Sequence, residues 1–408
     1  MYFTSTLVKH RLSYDAFALT TVAAMIVAGC GESGSPVTST TTDSAGITIV
    51  ESADPIWGTE GGWHLSPEPT VTIGILEGPE EYLLDRVTSG VRLADGTIVI
   101  ANVLSLELRF YDSTGSYLFT RGGDGAGPGE FRSMGGIWHA GDSLFVYDFG
   151  LGRVSVFSTS GEFCRVFTVN RATDGALAMP HGVFSNGQLL VLRTSLDSEL
   201  GTGFFRNSLL YLRYTMDGEL IDTIGRFLDG ERYMGKSGDM VYSTSAPFGR
   251  QSYIVPAGER LYYGSSDSYE IEVRSRDGTL EQLVRRPIQN PPVTPEEVEE
   301  FETRQRERLP TMRPMWRELQ KQMTLPETKP AYGRFLVDAN GNLWVGDYSD
   351  EWLDEGTWNV FDPEGRWLGP VETPVGGRIF QIGNDFVLGM WRDDLEVERV
   401  MAYELVKP

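Results

Sequence analysis

The feature that most constrains this chain is a repeat. Tight turns fall at Asp95-Gly96, Gly141-Asp142, Asn186-Gly187, Gly258-Glu259, Asn340-Gly341 and Gly383-Asn384, each between short apolar runs. Asn-Gly and Asp-Gly in that setting mark β-hairpins, because both central residues tolerate positive φ. A second set of turns follows at Ser113-Thr114-Gly115, Thr159-Ser160-Gly161, Asp217-Gly218, Asp277-Gly278 and Pro363-Glu364-Gly365. One turn of each kind makes a four-stranded unit. From Gly96 to Gly141 to Gly187, and again from Gly341 to Gly383, the interval is about 45 residues, the period of a propeller blade. Radial packing of such small sheets shortens and protects their edges. The expected fold is all-β: a six-bladed β-propeller of four-stranded blades over residues 47–408, with a short helical insertion between blades 4 and 5. The last unit runs out of chain after three strands. The alternating run Thr70-Val71-Thr72-Ile73-Gly74 is expected to close the ring.

Composition agrees with a turn-dense chain that has a sizeable core: 47 Gly, 40% hydrophobic and 11% aromatic residues rule out wholesale disorder. Charge narrows the partners. With 35 Lys and Arg against 57 Asp and Glu the net charge is −22, a surface that repels phosphate backbones, so nucleic acid is not an expected partner.

Phe145-Val146-Tyr147-Asp148 followed by Arg153-Val154-Ser155-Val156-Phe157 and Gly161 resembles an NHL repeat, as does Pro180-His181-Gly182-Val183 with the strand ending at Val191. The glycine-rich run from Gly122 to Phe131 resembles the loop between NHL blades. At the N-terminus, Lys9 and Arg11 precede an apolar run over 16–28 that is too short to span a bilayer. That run ends in Val27-Ala28-Gly29-Cys30, which resembles the lipobox of bacterial lipoproteins. Together the chain is similar to bacterial six-bladed β-propeller lipoproteins of the NHL type. The resemblance implies a signal peptide over 1–29, lipidation of Cys30, and a flexible Ser/Thr/Gly tether over 30–46. The absence of Asp after Cys30 points to the outer membrane of the cell envelope. Cys164 is then left without a disulfide partner and reads as a small strand residue.

Long insertions at 193–207, 226–246, 286–333 and 348–357 all fall on the rim opposite the short glycine turns. Loops on a rigid scaffold carry function, so this rim is the expected binding face. The insertion over 294–325 starts as a capping box, Thr294-Pro295-Glu296-Glu297, with Glu300 and Glu302 four residues before Arg304 and Arg306. Pro310 and Pro314 interrupt it, and a second piece carries Met315, Trp316, Leu319 and Met323 on one face. Arg304, Arg308 and Arg313 belong to the one basic concentration in the chain. They read either as a dock for an anionic ligand or acidic partner or as a solvated face balanced by nearby Glu residues. Trp352 is a candidate stacking platform for a sugar or peptide, and Trp316 a second aromatic contact.

Chemistry-bearing residues are few. His181 is the one histidine expected near the channel on the elaborated side. Asn102, Asp148 and Asp347 close the second strands of three blades and are candidate Ca²⁺ ligands; the bland alternative is that they satisfy backbone N–H groups of the following turn. Arg193, Gly264 and Trp391 stand at the equivalent place in the other blades and break the ring of ligands. Two functions follow. One is a membrane-anchored binding or scaffold module that presents its elaborated rim to a periplasmic or surface protein or a small ligand. The other is a metal-dependent lyase or lactonase with His181 as base at the channel mouth. The incomplete ligand set favours the first.

Overall fold

The second strand of the first repeat is buried along its whole length rather than on alternate residues: all five residues of Ile98–Asn102 are buried, four of them apolar. Because successive side chains point to opposite faces, such a strand needs a neighbour on each side of its sheet. The computed structural model supplies both. It describes residues 38–58, 61–169, 177–194, 202–237, 240–308, 317, 323–350 and 356–408. From the inside outward, blade 1 is Val87–Arg92, Ile98–Asn102, Glu107–Tyr111 and Tyr117–Gly122; blade 2 is Met134–Ala140, Ser143–Asp148, Arg153–Ser158 and Phe163–Thr168. Blade 3 is Leu177–Val183, Leu189–Thr194, Ser208–Tyr214 and Leu220–Leu228; blade 4 contains Tyr253–Ala257, Arg260–Gly264, Glu270–Ser275 and Leu280–Arg285. Blade 5 is Phe335–Val337, Leu343–Gly346, Thr357–Phe361 and Trp367–Glu372. Blade 6 has Gly377–Ile382, Phe386–Arg392 and Glu398–Val406, and takes its fourth strand, Val71–Ile73, from the N-terminal side of the repeats.

Each inner strand touches the next around the ring, and that of blade 6 touches that of blade 1. The circle is closed. Among the described residues an apolar core lies between every pair of adjacent blades. Val99 and Ala101 face Leu144 and Val146 of blade 2, whereas Ile98 and Ile100 face Leu388 and Met390 of blade 6. The closing seam also carries a polar fastening: the buried Glu398 of blade 6 accepts the Val87 N–H of blade 1 at 2.7 Å.

The glycines of the second turns serve two purposes. Gly161 adopts φ +81°, and a Cβ there would lie 2.6 Å from the Phe119 ring on the outer strand of blade 1. Gly278 adopts φ +88°, and its Cβ would lie 2.3 Å from the Ile224 carbonyl oxygen on the outer strand of blade 3. Only glycine both makes the turn and lets one blade close on the previous one.

The N-terminal side corrects the sequence reading. Ser39–Ser44, expected within a flexible tether, is a β-strand hairpinned to Ile47–Ser52, and the latter pairs in parallel with Leu280–Arg285. Blade 4 is thus a six-stranded sheet rather than a four-stranded one. The physical reason is the outer edge of blade 4, whose unpaired N–H and C=O groups accept a Thr- and Ile-rich strand. The chain then continues around the outside. Ser52 Oγ accepts the Trp367 N–H at 3.1 Å, the Ile56 and Trp57 N–H groups bond to the carbonyls of Trp367 and Leu368 on blade 5, and His64–Leu65 pairs with the end of blade 6. Three successive blades are strapped together by this belt.

The insertions gather on one rim. Arg232–Ser237, from the crossing to blade 4, pairs on one side with Gly203–Phe205 from the loop inside blade 3 and on the other with Met240–Ser245 of the same crossing, forming a separate three-stranded sheet. The crossing from blade 4 to blade 5 holds the helix Pro295–Arg308. Its capping box is made in both directions: the Glu297 N–H donates to Thr294 Oγ1 at 3.3 Å and the Thr294 N–H to Glu297 Oε2 at 2.9 Å.

Candidate functional site

Two adjoining cavities open among the insertions. The larger, about 870 Å³, runs from the crossing between blades 3 and 4 across to the loop inside blade 6. Phe248, Phe301, Pro247, Tyr253 and Tyr348 give it apolar walls, and Arg304, Asp350, Arg392 and Glu396 give it charge. The smaller, about 290 Å³, lies behind a wall shared by Phe248, Tyr348, Ser349 and Asp350 and is lined also by Glu297, Lys329, Asp347 and Thr357.

Phe248 stands between the two cavities and lines both. Its φ of +51° is a left-handed backbone that a bulky side chain seldom adopts. Such strain persists only where the surroundings over-determine it. Here they do: Gly249 N–H bonds to the Ala246 carbonyl, Ala246 N–H to the Glu231 carbonyl, and Arg250 reaches the Thr328 carbonyl and hydroxyl at 2.9 and 2.7 Å. The buried Phe248 ring meets Phe301 of the helix with ring centroids 5.8 Å apart. Arg304, one turn further on, forms an ion pair with Asp350 of the blade 5 loop, and Lys329 forms one with Glu297. The helix is therefore docked by one aromatic contact flanked by two ion pairs.

Asp347 lines the smaller cavity. Its Oδ1 accepts the Asn359 amide at 2.8 Å, and Asn359 Oδ1 accepts Arg286 Nη1 at 3.2 Å. The Arg286 guanidinium lies 3.7 Å above the Trp367 ring. Asp347 keeps accessible surface, yet desolvation by the protein packed around its carboxyl holds it above the usual carboxylate range, against the opposing pull of the Asn359 hydrogen bond. Asp347 is legible in the sequence as a candidate, whereas Arg286, Asn359 and Phe248 are not, because nothing local marks a residue whose partners lie in another blade or whose backbone is strained.

The remaining candidates separate. Asn102 Oδ1 accepts the Asp85 N–H at 2.8 Å and its amide donates to Ser105 Oγ at 2.8 Å. Asp148, fully buried, accepts N–H groups from Arg132, Ser133 and Leu151. Each ties the crossing before its blade to the end of its second strand. Asn102, Asp148 and Asp347 belong to blades 1, 2 and 5 and engage these separate partners. Among the described residues no group of three His, Cys, Asp or Glu side chains is placed to hold a metal ion. His181 is the bulged residue of the inner strand of blade 3, between Pro180 and Gly182, with its ring 5.6 Å from Tyr211. It keeps accessible surface where the inner strands border the axis, yet protein hems it in, and this desolvation lowers its pKa against the opposing effect of Asp229. It lies on neither cavity. Cys164 is exposed on the outer strand of blade 2. Cys30, Arg313, Trp316 and Trp352 lie outside the described residues, as does the Arg308 side chain.

A family model described as 6-bladed beta-propeller matches residues 71–181. No curated protein matches the chain. Among solved structures it is similar to a protein from Bacteroides fragilis NCTC 9343 described as exported, at 14% identity over 88% of this chain and 99% of that one, with a TM-score of 0.47. It is similar also to a duf4221 family member from Bacteroides vulgatus, at 9% identity over 86% and 100% with a TM-score of 0.49. A gluconolactonase from Xanthomonas campestris shares 15% identity over 79% and 88%, with a TM-score of 0.39. With six repeats closed in a ring and a family description that says the same, the chain is a six-bladed β-propeller.

Proposed function

We propose that this propeller is a lipid-anchored binding module of the bacterial cell envelope, and that the cleft walled by Phe248, Phe301 and Tyr348 is its ligand site. The observation that carries this reading is convergence: three insertions and the blade 6 loop, far apart in the chain, meet around one cavity of about 870 Å³. That volume is within the usual range of small-molecule sites, about 300–1,000 Å³. Aromatic walls with a few charged groups at the edge suit a small molecule or short peptide segment with an apolar portion and polar ends. The anchor is supported by the lipobox-like Val27-Ala28-Gly29-Cys30.

Residues Thr38–Pro408 form one compact unit, so they can be tested alone. Screening this unit with a small-molecule fragment set by crystal soaking should place hits against Phe248 and Phe301, and Tyr348→Arg should abolish them. Hits scattered elsewhere, or unaffected by Tyr348→Arg, would refute the site. Ca²⁺ retained through purification, with a thermal shift on adding EDTA, would instead support the metal-dependent alternative. The anchor is tested separately: Cys30→Ser should move the full-length protein from the membrane to the soluble fraction.

A further inference from the structure

The N-terminal hairpin determines on which side of the propeller the chain enters. The short glycine turns within blade 4 lie on the plain rim, so its outermost repeat strand, Leu280–Arg285, starts there and ends on the elaborated rim, where the helix-bearing crossing begins. Ile47–Ser52 runs parallel to it, with Glu51 opposite Arg285. Ser39–Ser44 runs back antiparallel, with Ser39 opposite Ser52, and the Thr38 carbonyl accepts the Ala53 N–H at 3.1 Å. The chain therefore enters level with the cleft-bearing rim. One strand fewer in the hairpin would have put the entry on the opposite rim.

We infer that the propeller sits with its cleft-bearing rim toward the membrane, the lipid headgroup layer being the surface that this rim faces. The inference rests on the anchored reading given under Proposed function. From Cys30 to Ser39 there are about nine residues, which reach at most about 32 Å when fully extended. To turn the plain rim to the membrane, the tether would have to run back along the edge of blade 4, whose six-residue strands measure about 20 Å. The short tether thus disfavours the reversed orientation. It also leaves a gap no wider than about the diameter of a small domain, so the cleft takes a small or extended ligand that reaches it through that gap.

The test uses the full-length lipidated protein in vesicles of phosphatidylethanolamine and phosphatidylglycerol containing an acceptor-labelled lipid. In a Cys164→Ser background, one donor dye is placed on the elaborated rim with Glu302→Cys and another on the plain rim with Ala94→Cys; both positions are exposed. Energy transfer to the lipid should be more efficient from Glu302→Cys. Vesicle-bound protein with equal transfer from both positions, or with more from Ala94→Cys, overturns the orientation while leaving the anchor standing. Wild-type protein that fails to bind vesicles, as Cys30→Ser is expected to fail, removes the anchor and the orientation with it.

Discussion

At Asp148 one carboxylate serves three backbone N–H groups in two loops, and no solvent reaches it. Removing it leaves those donors buried, at a cost of about 1–3 kcal/mol for each one that water does not rescue. Asp148→Ala is therefore expected to lower unfolding free energy by about 3 kcal/mol or more in a denaturant titration, with Asp148→Asn losing less because it keeps an acceptor. A structural role in the following turn is legible in the sequence, and the Leu151 bond fits it; the bonds to Arg132 and Ser133 of the preceding crossing are not legible, since they depend on two loops meeting. His181 makes the other residue-scale prediction. Desolvation puts its folded pKa below the ordinary 6.5, so the unfolded chain takes up the proton first as pH falls. Its contribution to stability is complete above about pH 6.5 and is lost as pH drops from there toward the lowered value. Melting temperatures of wild type and His181→Gln, measured from pH 8 to 5, should diverge in slope below that point, with the variant flatter. Parallel curves would mean that the ring stays solvated.

At the scale of the element, the glycine turns were readable because a positive φ leaves a mark in the sequence. Their second duty was not. Gly278 meets the Ile224 carbonyl of the previous blade, and Gly161 meets Phe119 in the same way. Gly278→Ala must pay both for the left-handed backbone and for displacing a main-chain carbonyl. It is expected to destabilise by more than the roughly 1 kcal/mol typical of the backbone effect alone, read as a lowered unfolding midpoint. A cost within that figure would show that blades 3 and 4 separate easily. The helix Pro295–Arg308 follows the same division. Its start is written in Thr294-Pro295-Glu296-Glu297, which needs no partner outside itself, whereas its docking through Phe248 and Asp350 involves residues about fifty positions away on either side.

At the scale of the molecule, closure and strapping are separable. Val71–Ile73 completes blade 6, and Ile73 is buried in the core shared by blades 6 and 1. Residues 38–58 and 61–65 lie outside the ring and bind the edges of blades 4, 5 and 6. A chain beginning at residue 68 should still unfold cooperatively by circular dichroism, at a lower temperature than one beginning at residue 38. A chain beginning at residue 76 should lose the cooperative transition, because the blade 6 edge and the core behind it are opened together. Equal behaviour of the two shorter chains would remove the distinction. The sequence alone determined the number of repeats, the strands within them and the sign of the surface charge, because turn chemistry, side-chain alternation and ionisation act over a few residues. Only the tertiary structure decided that a Thr-rich segment becomes a strand on blade 4, that Phe248 bends at the centre of a cleft, and which rim the chain enters. Each of those depends on a surface that exists only once distant segments have packed, and no local pattern can encode the shape of a partner it has not yet met.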